Sequence, residues 1–195
     1  IESFEFNNQT YNLSSVLEET GFDRLNYIAS HGDLINAFGT DTSSAFNHYV
    51  NNGQSEGRAP DTFDEWTYLA SHSDLIDAYG NNTVLATEHY INEGYEAGWS
   101  TDGFDGWGYL ASYGDLINVF GNNTVLATRH YVNTGHSEGR LTDNFNGLSY
   151  IAGYEDLINT FGTNAEMATR HYVNTGYGEG KLEEKFNALT YIASY

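Results

Sequence analysis

The chain has 195 residues, enough for one sizeable core or for a row of smaller units that share a core from neighbour to neighbour. Seven Lys and Arg stand against 27 Asp and Glu, a formal net charge of -20, which repels a phosphate backbone and an anionic lipid surface and so argues against nucleic acid and membrane insertion as partners. Cys is absent, which excludes disulfides and thiolate metal sites, while an aromatic fraction of 15% excludes a disordered acidic tail.

In chain order, residues 1–21 stand apart as a cap or joining segment. Ser3–Phe6 and Gln9–Leu13 flank Asn7-Asn8 and predict a small hairpin or extended arm, and Ser14–Glu19 can add one or two helical turns. Ile1 opens without a basic or apolar leader, as expected of a mature chain or an excised fragment. No apolar run nears the roughly 18 residues of a membrane span.

From Phe22 onward the sequence repeats. Phe22, Phe63, Phe104, Phe145 and Phe186 recur every 41 residues, each followed by a tyrosine at 27, 68, 109, 150 and 191. The repeats are 22–62, 63–103, 104–144 and 145–185, with 186–195 a partial fifth unit or cap. Strict recurrence at such a period predicts an all-α array of about three short helices per unit, stacked in a solenoid-like manner.

Within the second repeat, Phe63, Trp66, Leu69 and Ala70 have helical spacing, with Asp61 or Thr62 as the expected N-cap. A second helix over Ser73–Tyr79 closes on Gly80, which suits the left-handed position after a helix. Asn82 or Thr83 caps a third helix from Val84 to Asn92, with Leu85, Ala86, His89 and Tyr90 expected on the core face and Gly94 as its end. Gly94 and Gly98 then bracket the turn into the next unit.

The phrases Tyr109-Leu110-Ala111 with Asp115-Leu116-Ile117, and His130-Tyr131 through Glu138-Gly139-Arg140, resemble a tandem repeat of large secreted bacterial proteins. Such repeats accompany calcium-binding nonapeptide repeats, adhesin-like modules and secreted hydrolases. The resemblance covers residues 22–195 and implies an extracellular or cell-surface setting, without implying a ligand. The second repeat departs from the phrase, with Ala97 before Gly98 and Trp99 where Arg58 and Arg140 stand.

Three sets of residues are candidates for function. His48, His89, His130 and His171 recur on the apolar face of the third helix; they read as core histidines bonded to a repeated backbone or Asp partner, since one imidazole per unit falls short of a zinc site. Asp33, Asp74, Asp115 and Asp156 precede Leu-Ile and read as first-turn caps, with calcium, a hard ion that takes six to eight oxygens, as the functional alternative. His31, His72, Tyr113, Tyr154 and Tyr195 form one row that varies between His and Tyr, and Tyr95, His136 and Tyr177 form another. With Trp99 these rows either present a ladder of rings to sugars or pack between units.

No nucleophile elbow, zinc-protease helix, phosphate loop or dinucleotide fingerprint occurs, and identical units offer no single asymmetric cleft, so an enzyme is not expected. The leading expectation is a non-catalytic extracellular module that binds a glycan or surface polymer multivalently. A structural spacer or an element that assembles with copies of itself is the first alternative, and a calcium-stabilised module the second. No cofactor is required beyond that calcium.

Overall fold

The computed structural model describes residues 3–6, 9–12, 21–182, 186 and 192, and the chain divides into two compact units, Ile1–Thr101 and Asp102–Tyr195. The first opens with strands β1 (Ser3–Phe6) and β2 (Gln9–Asn12), paired antiparallel with Ser3 opposite Asn12 and Phe6 opposite Gln9, which is the expected hairpin. The helical turns expected over 14–19, and all of the partial fifth repeat except Phe186 and Ile192, lie outside the described residues.

The rest is helical. In the first unit α1 (Arg24–Ala29), α2 (Gly32–Phe38) and α3 (Thr42–His48) are followed by α4 (Glu65–Ser71), α5 (Ser73–Tyr79) and α6 (Thr83–His89). The second unit repeats the order with α7 (Gly106–Ala111), α8 (Gly114–Phe120), α9 (Thr124–His130), α10 (Gly147–Ala152), α11 (Glu155–Phe161) and α12 (Ala165–His171). Each third helix runs on into a wider π-helical turn: Tyr49–Gly53, Tyr90–Gly94, Tyr131–Gly135 and Tyr172–Gly176.

The first helix begins later than the sequence pattern indicated. Asp64, not Asp61 or Thr62, is the N-cap of α4, accepting from the amides of Trp66 and Thr67, as Asp23 does for α1 from Leu25 and Asn26; Asp105 and Asn146 cap α7 and α10 through one amide each, of Trp107 and Ser149. Phe63 therefore precedes the helix, free to stack on Tyr90 at 4.7 Å. The caps of the third helix fall where expected, with Asn82, Asn123 and Asn164 accepting from the amide three residues on.

The end of the third helix also differs. Gly94 is helical, and the helix stops at Gly98, which is left-handed at φ 71°, ψ 33°. The amide of Trp99 donates to the Gly94 carbonyl at 2.9 Å and that of Gly98 to Tyr95 at 3.2 Å, the paired bonds of a Schellman turn. Gly80 takes positive φ too, but with ψ -127° it lies outside the left-handed helical region expected of it.

Helical Gly53, Gly94, Gly135 and Gly176 serve a different purpose. A Cβ on any of them would collide with the hydroxyl of Tyr27, Tyr68, Tyr109 or Tyr150 respectively. Those four tyrosines are 0% exposed and form the centre of each repeat, beside Ile28, Leu69, Leu110 and Ile151. The small residues Ala45, Ala86, Ala127 and Ala168 let the third helix lie close on the first, so Leu85 points outward, contrary to the core face expected of it, as do Leu126 and Met167.

Neighbouring repeats meet inside each unit by one rule: the third helix of the later repeat lies on the first helix of the earlier one, α6 on α1 and α12 on α7. In the first unit the Tyr95 hydroxyl seats on Gly32, and the Thr87 hydroxyl donates to buried Asn26 at 3.2 Å. In the second, Tyr177 seats on Gly114 and accepts from the Asn118 amide at 2.9 Å, Asn122 donates to Asn174 at 2.8 Å, and Arg170 lies over Trp107.

Gly135→Ala, which must displace the Tyr109 hydroxyl, should lower the urea unfolding free energy by about 1–3 kcal/mol despite alanine's better helix propensity. Gly178→Ala, whose added carbon would meet nothing closer than a carbonyl at 3.5 Å, should stay within about 0.5 kcal/mol of the parent.

Candidate functional site

The recurrent histidines find a partner other than the expected backbone or Asp. Nδ1 of His48, His89, His130 and His171 is hydrogen-bonded to the hydroxyl of Tyr27, Tyr68, Tyr109 and Tyr150 at 3.0, 2.8, 3.0 and 3.0 Å. A buried phenol without a partner costs about 1–3 kcal/mol, and in each repeat the imidazole supplies that partner. Burial pushes the Tyr27 phenol up to about 12 and the other three higher still, which keeps the four phenols protonated at ordinary pH.

The first aromatic row lies against this pair rather than projecting as a ladder. His31, His72, Tyr113 and Tyr154 are half-buried N-cap residues of α2, α5, α8 and α11, edge-on to the central tyrosine at 5.1, 5.0, 5.5 and 5.7 Å. Their polar tips hold the chain that leaves the repeat. His31 donates to the Ala59 carbonyl at 2.9 Å and His72 to that of Ser100 at 2.8 Å, while Tyr113 and Tyr154 accept from the amides of Leu141 and Leu182 at 2.7 and 2.6 Å. These rings pack within their own repeat, neither between units nor as an open stacking surface; Tyr195 lies outside the described residues.

In the second row Tyr95 and Tyr177 are engaged between repeats, as described above, and His136 rests edge-on to Tyr131 at 5.9 Å. Tyr95 is 38% exposed, so part of one ring face is open. Trp99 is wedged between His72 and His89, with ring centres 4.7 and 4.8 Å away.

The four aspartates sit in the first turn of the second helix, as expected, one residue inside it, and backbone hydrogen bonds reach Asp33, Asp115 and Asp156 there; these three are also taken by cations 25 residues on. Arg58 grips Asp33 with two bonds of 2.9 and 2.8 Å and Glu56 with one of 2.6 Å; Arg140 holds Asp115 and Glu138 in the same way, and Lys181 holds Asp156 at 3.0 Å. These bonds hold the carboxyls of Asp33, Asp115 and Asp156 below their ordinary value. Carboxylates already neutralised by a fork of N–H donors make poor calcium ligands, and among the described residues no group of three or more His, Asp or Glu is placed to hold a metal. In the second repeat Trp99 replaces the cation near Asp74, substituting ring contact for the ion pair.

One feature escaped the periodic reading because it lies at positions that vary. In the first unit a cleft of about 580 Å³ opens where repeats one and two meet, lined by Phe22, Asp23, Arg24, Asn26, Glu65 and Thr87 among others. Asn26 donates to Glu65 at 2.9 Å, and partial desolvation, with Glu65 and Asp23 nearby, pushes the Asp61 carboxyl up although its outer side faces solvent. The second unit carries Gly106, Gly108 and Gly147 at the positions of Arg24, Asn26 and Glu65, so the cleft's polar lining is not repeated there. The sequence signal was the placement of Arg24, one of only seven cations.

Two pH limits follow. The central tyrosines ionise less readily folded than unfolded, so their contribution is complete below about pH 10 and declines as pH rises toward 12; loss of helical circular dichroism should coincide with a step of tyrosinate absorbance in that window. The paired aspartates have the opposite sign, contributing fully above the ordinary carboxylate value and losing that contribution as pH falls from there through their lowered folded values. Arg140→Gln should raise the Asp115 carboxyl toward its ordinary value by NMR, at a stability cost of at most about 1 kcal/mol because the pair is solvent-exposed. Compared with known proteins, the chain matches no protein-family model, no curated protein and no solved structure.

Proposed function

We propose that this chain is a non-catalytic module of an extracellular or cell-surface protein, in which the repeats stack as a solenoid-like array and act as a structural spacer or assembly element. One observation carries the reading. The side chains that recur in every repeat and have chemistry to offer are bonded to their own repeat: phenol to imidazole, His31-type rings to the departing loop and, in three of the four repeats, aspartate to arginine or lysine. What varies between repeats is the set of residues through which one repeat meets the next. Such a division suits a part that sets length and order. The charge of -20 keeps the array soluble where abundant cations screen it.

A multivalent glycan-binding role has two supports, the partly open ring of Tyr95 and the cleft around Arg24 and Glu65. The cleft's polar lining occurs once, however, and avidity needs several equivalent sites that can be engaged together.

Small-angle X-ray scattering separates an array from a compact domain. A globular chain of this length has a radius of gyration of about 16 Å. The full chain should exceed that clearly, and a variant with repeat 104–144 duplicated should lengthen by a further increment of one repeat. A value near 16 Å that barely changes on duplication would rule out the array. Retention on immobilised polysaccharides, abolished by Arg24→Ala with Glu65→Ala, would favour the glycan role instead.

A further inference from the structure

At the start of the second helix, three of the repeats bring together a ring, a cation and a carboxylate. In the third repeat the N-cap Tyr113 is the ring, Arg140 lies over it at 4.8 Å, and Asp115 holds the guanidinium; in the fourth, Lys181 lies over Tyr154 at 4.6 Å and is held by Asp156. In the first, Arg58 and Asp33 are joined as in the third, with His31 in the place of the ring. The second repeat exchanges the parts. Its loop brings an indole, Trp99, where the others bring a cation, and its N-cap is His72, the one side-chain type whose ordinary value lets it gain a charge between about pH 5 and 8. Asp74 is left with no Lys or Arg partner among the described residues.

The surroundings of His72 suit a positive charge. Its Nε2 donates to the Ser100 carbonyl at 2.8 Å, a bond that imidazole and imidazolium make alike. Its ring centre is 4.7 Å from that of Trp99, within the reach of a cation–π contact. The other groups gathered here are Tyr68 from α4, Asp74 and Tyr79 from α5, His89 from α6, and Tyr90 and Glu93 from the π-helical turn. The charges that act on Tyr68 come from Asp74, Glu93 and phenols, whereas Tyr27 and Tyr109 each feel an arginine. His89, on the other side of Trp99, is committed elsewhere: its Nδ1 takes the hydrogen bond of the buried Tyr68 hydroxyl, and a proton on that nitrogen would leave the hydroxyl's own without an acceptor. In the first repeat the His31 charge already acts on Asp33 across the two-residue spacing that separates His72 from Asp74, but there Arg58 has taken the carboxylate.

We propose that the second repeat carries an acid-responsive clasp: on protonation His72 supplies the missing cation, over Trp99 and with Asp74 as its counter-charge, and tightens its hold on the Ser100 carbonyl of the loop that leaves the repeat. A charged donor makes the stronger hydrogen bond. Closing the clasp takes up a proton, so its contribution is in place below the ordinary histidine value of about 6.5 and is lost as pH rises above it. The arginines and the lysine of the other repeats keep their charge throughout this range. Acidity therefore acts through one repeat of the four, at the loop that ends the first unit.

Amide hydrogen exchange of the full chain at about pH 5.5 and 8, on either side of the ordinary histidine value and corrected for intrinsic rates, tests the proposal. Protection at residues 99–101 should rise about two- to fivefold on acidification, the size of an exposed cation–π contact, while protection around Ala59, in the repeat that has its arginine, stays unchanged. Tryptophan emission should fall over the same range, because an imidazolium quenches an indole that it touches. His72→Gln should remove both responses with circular dichroism unchanged. Trp99→Arg, which installs the arginine of the first and third repeats, should hold the loop equally at both pH values. An equal response around Ala59, a response that survives in folded His72→Gln or Trp99→Arg, or protection at residues 99–101 that ignores pH in the parent would each overturn the proposal.

Discussion

Each repeat is organised around a hydrogen bond between a buried phenol and an imidazole, lying over a glycine with no side chain to obstruct it. Tyr27, His48 and Gly53 come from the first helix, the third helix and its π-helical extension, so meeting this one requirement fixes the relative position of all three. Widening the helix at Tyr49–Gly53 brings a bare backbone position to the phenol, a use in keeping with the tendency of π-turns to occur where a helix must accommodate something special. The Schellman turn that follows sends the chain back past the His31 ring, which holds the departing loop to the same central tyrosine.

Helices of six or seven residues do not persist alone in water, because nucleation costs more than so few bonds return. Their stability here has to be tertiary. Stacked pairs such as Phe22 on Tyr49 and Phe145 on Tyr172, both 4.7 Å apart, each add about 0.5–1.5 kcal/mol beyond the area they bury, and they recur in every repeat. The aspartate–arginine pairs are partly solvated and contribute less. That difference explains how the second repeat can dispense with its cation: Trp99 closes the same gap by contact with two rings.

The sequence disclosed the period, the three helices of each unit, the hairpin and the polar caps of the third helix, because each has a local signature. Helix starts were misplaced by three residues because Asp61 and Asp64 are equally good capping residues, and only the packing of Phe63 on Tyr90 shows which is used. Gly94 looked like a helix end because glycine is costly inside helices; its reason is a hydroxyl from a residue 26 positions earlier. The first-turn place of Asp33 was legible, but its partner Arg58 was not, being 25 residues away, although the loss of that arginine in the second repeat was a visible sign that the position answers to something distant. The aromatic rows were legible as rows. Whether they faced solvent was not, since that depends on a loop which only the fold brings back to them.

Near-identical neighbours create a hazard during folding, when a repeat can settle on the wrong partner and trap the chain. The tyrosine-on-glycine contact limits this. Among the four repeats, Gly32 and Gly114 provide seats without a Cβ, while Ser73 and Glu155 do not, and only the second and fourth repeats carry the tyrosine. The alternation works as an address written into steric fit: it tells a repeat which neighbours it can join, and so keeps a monotonous chain in order.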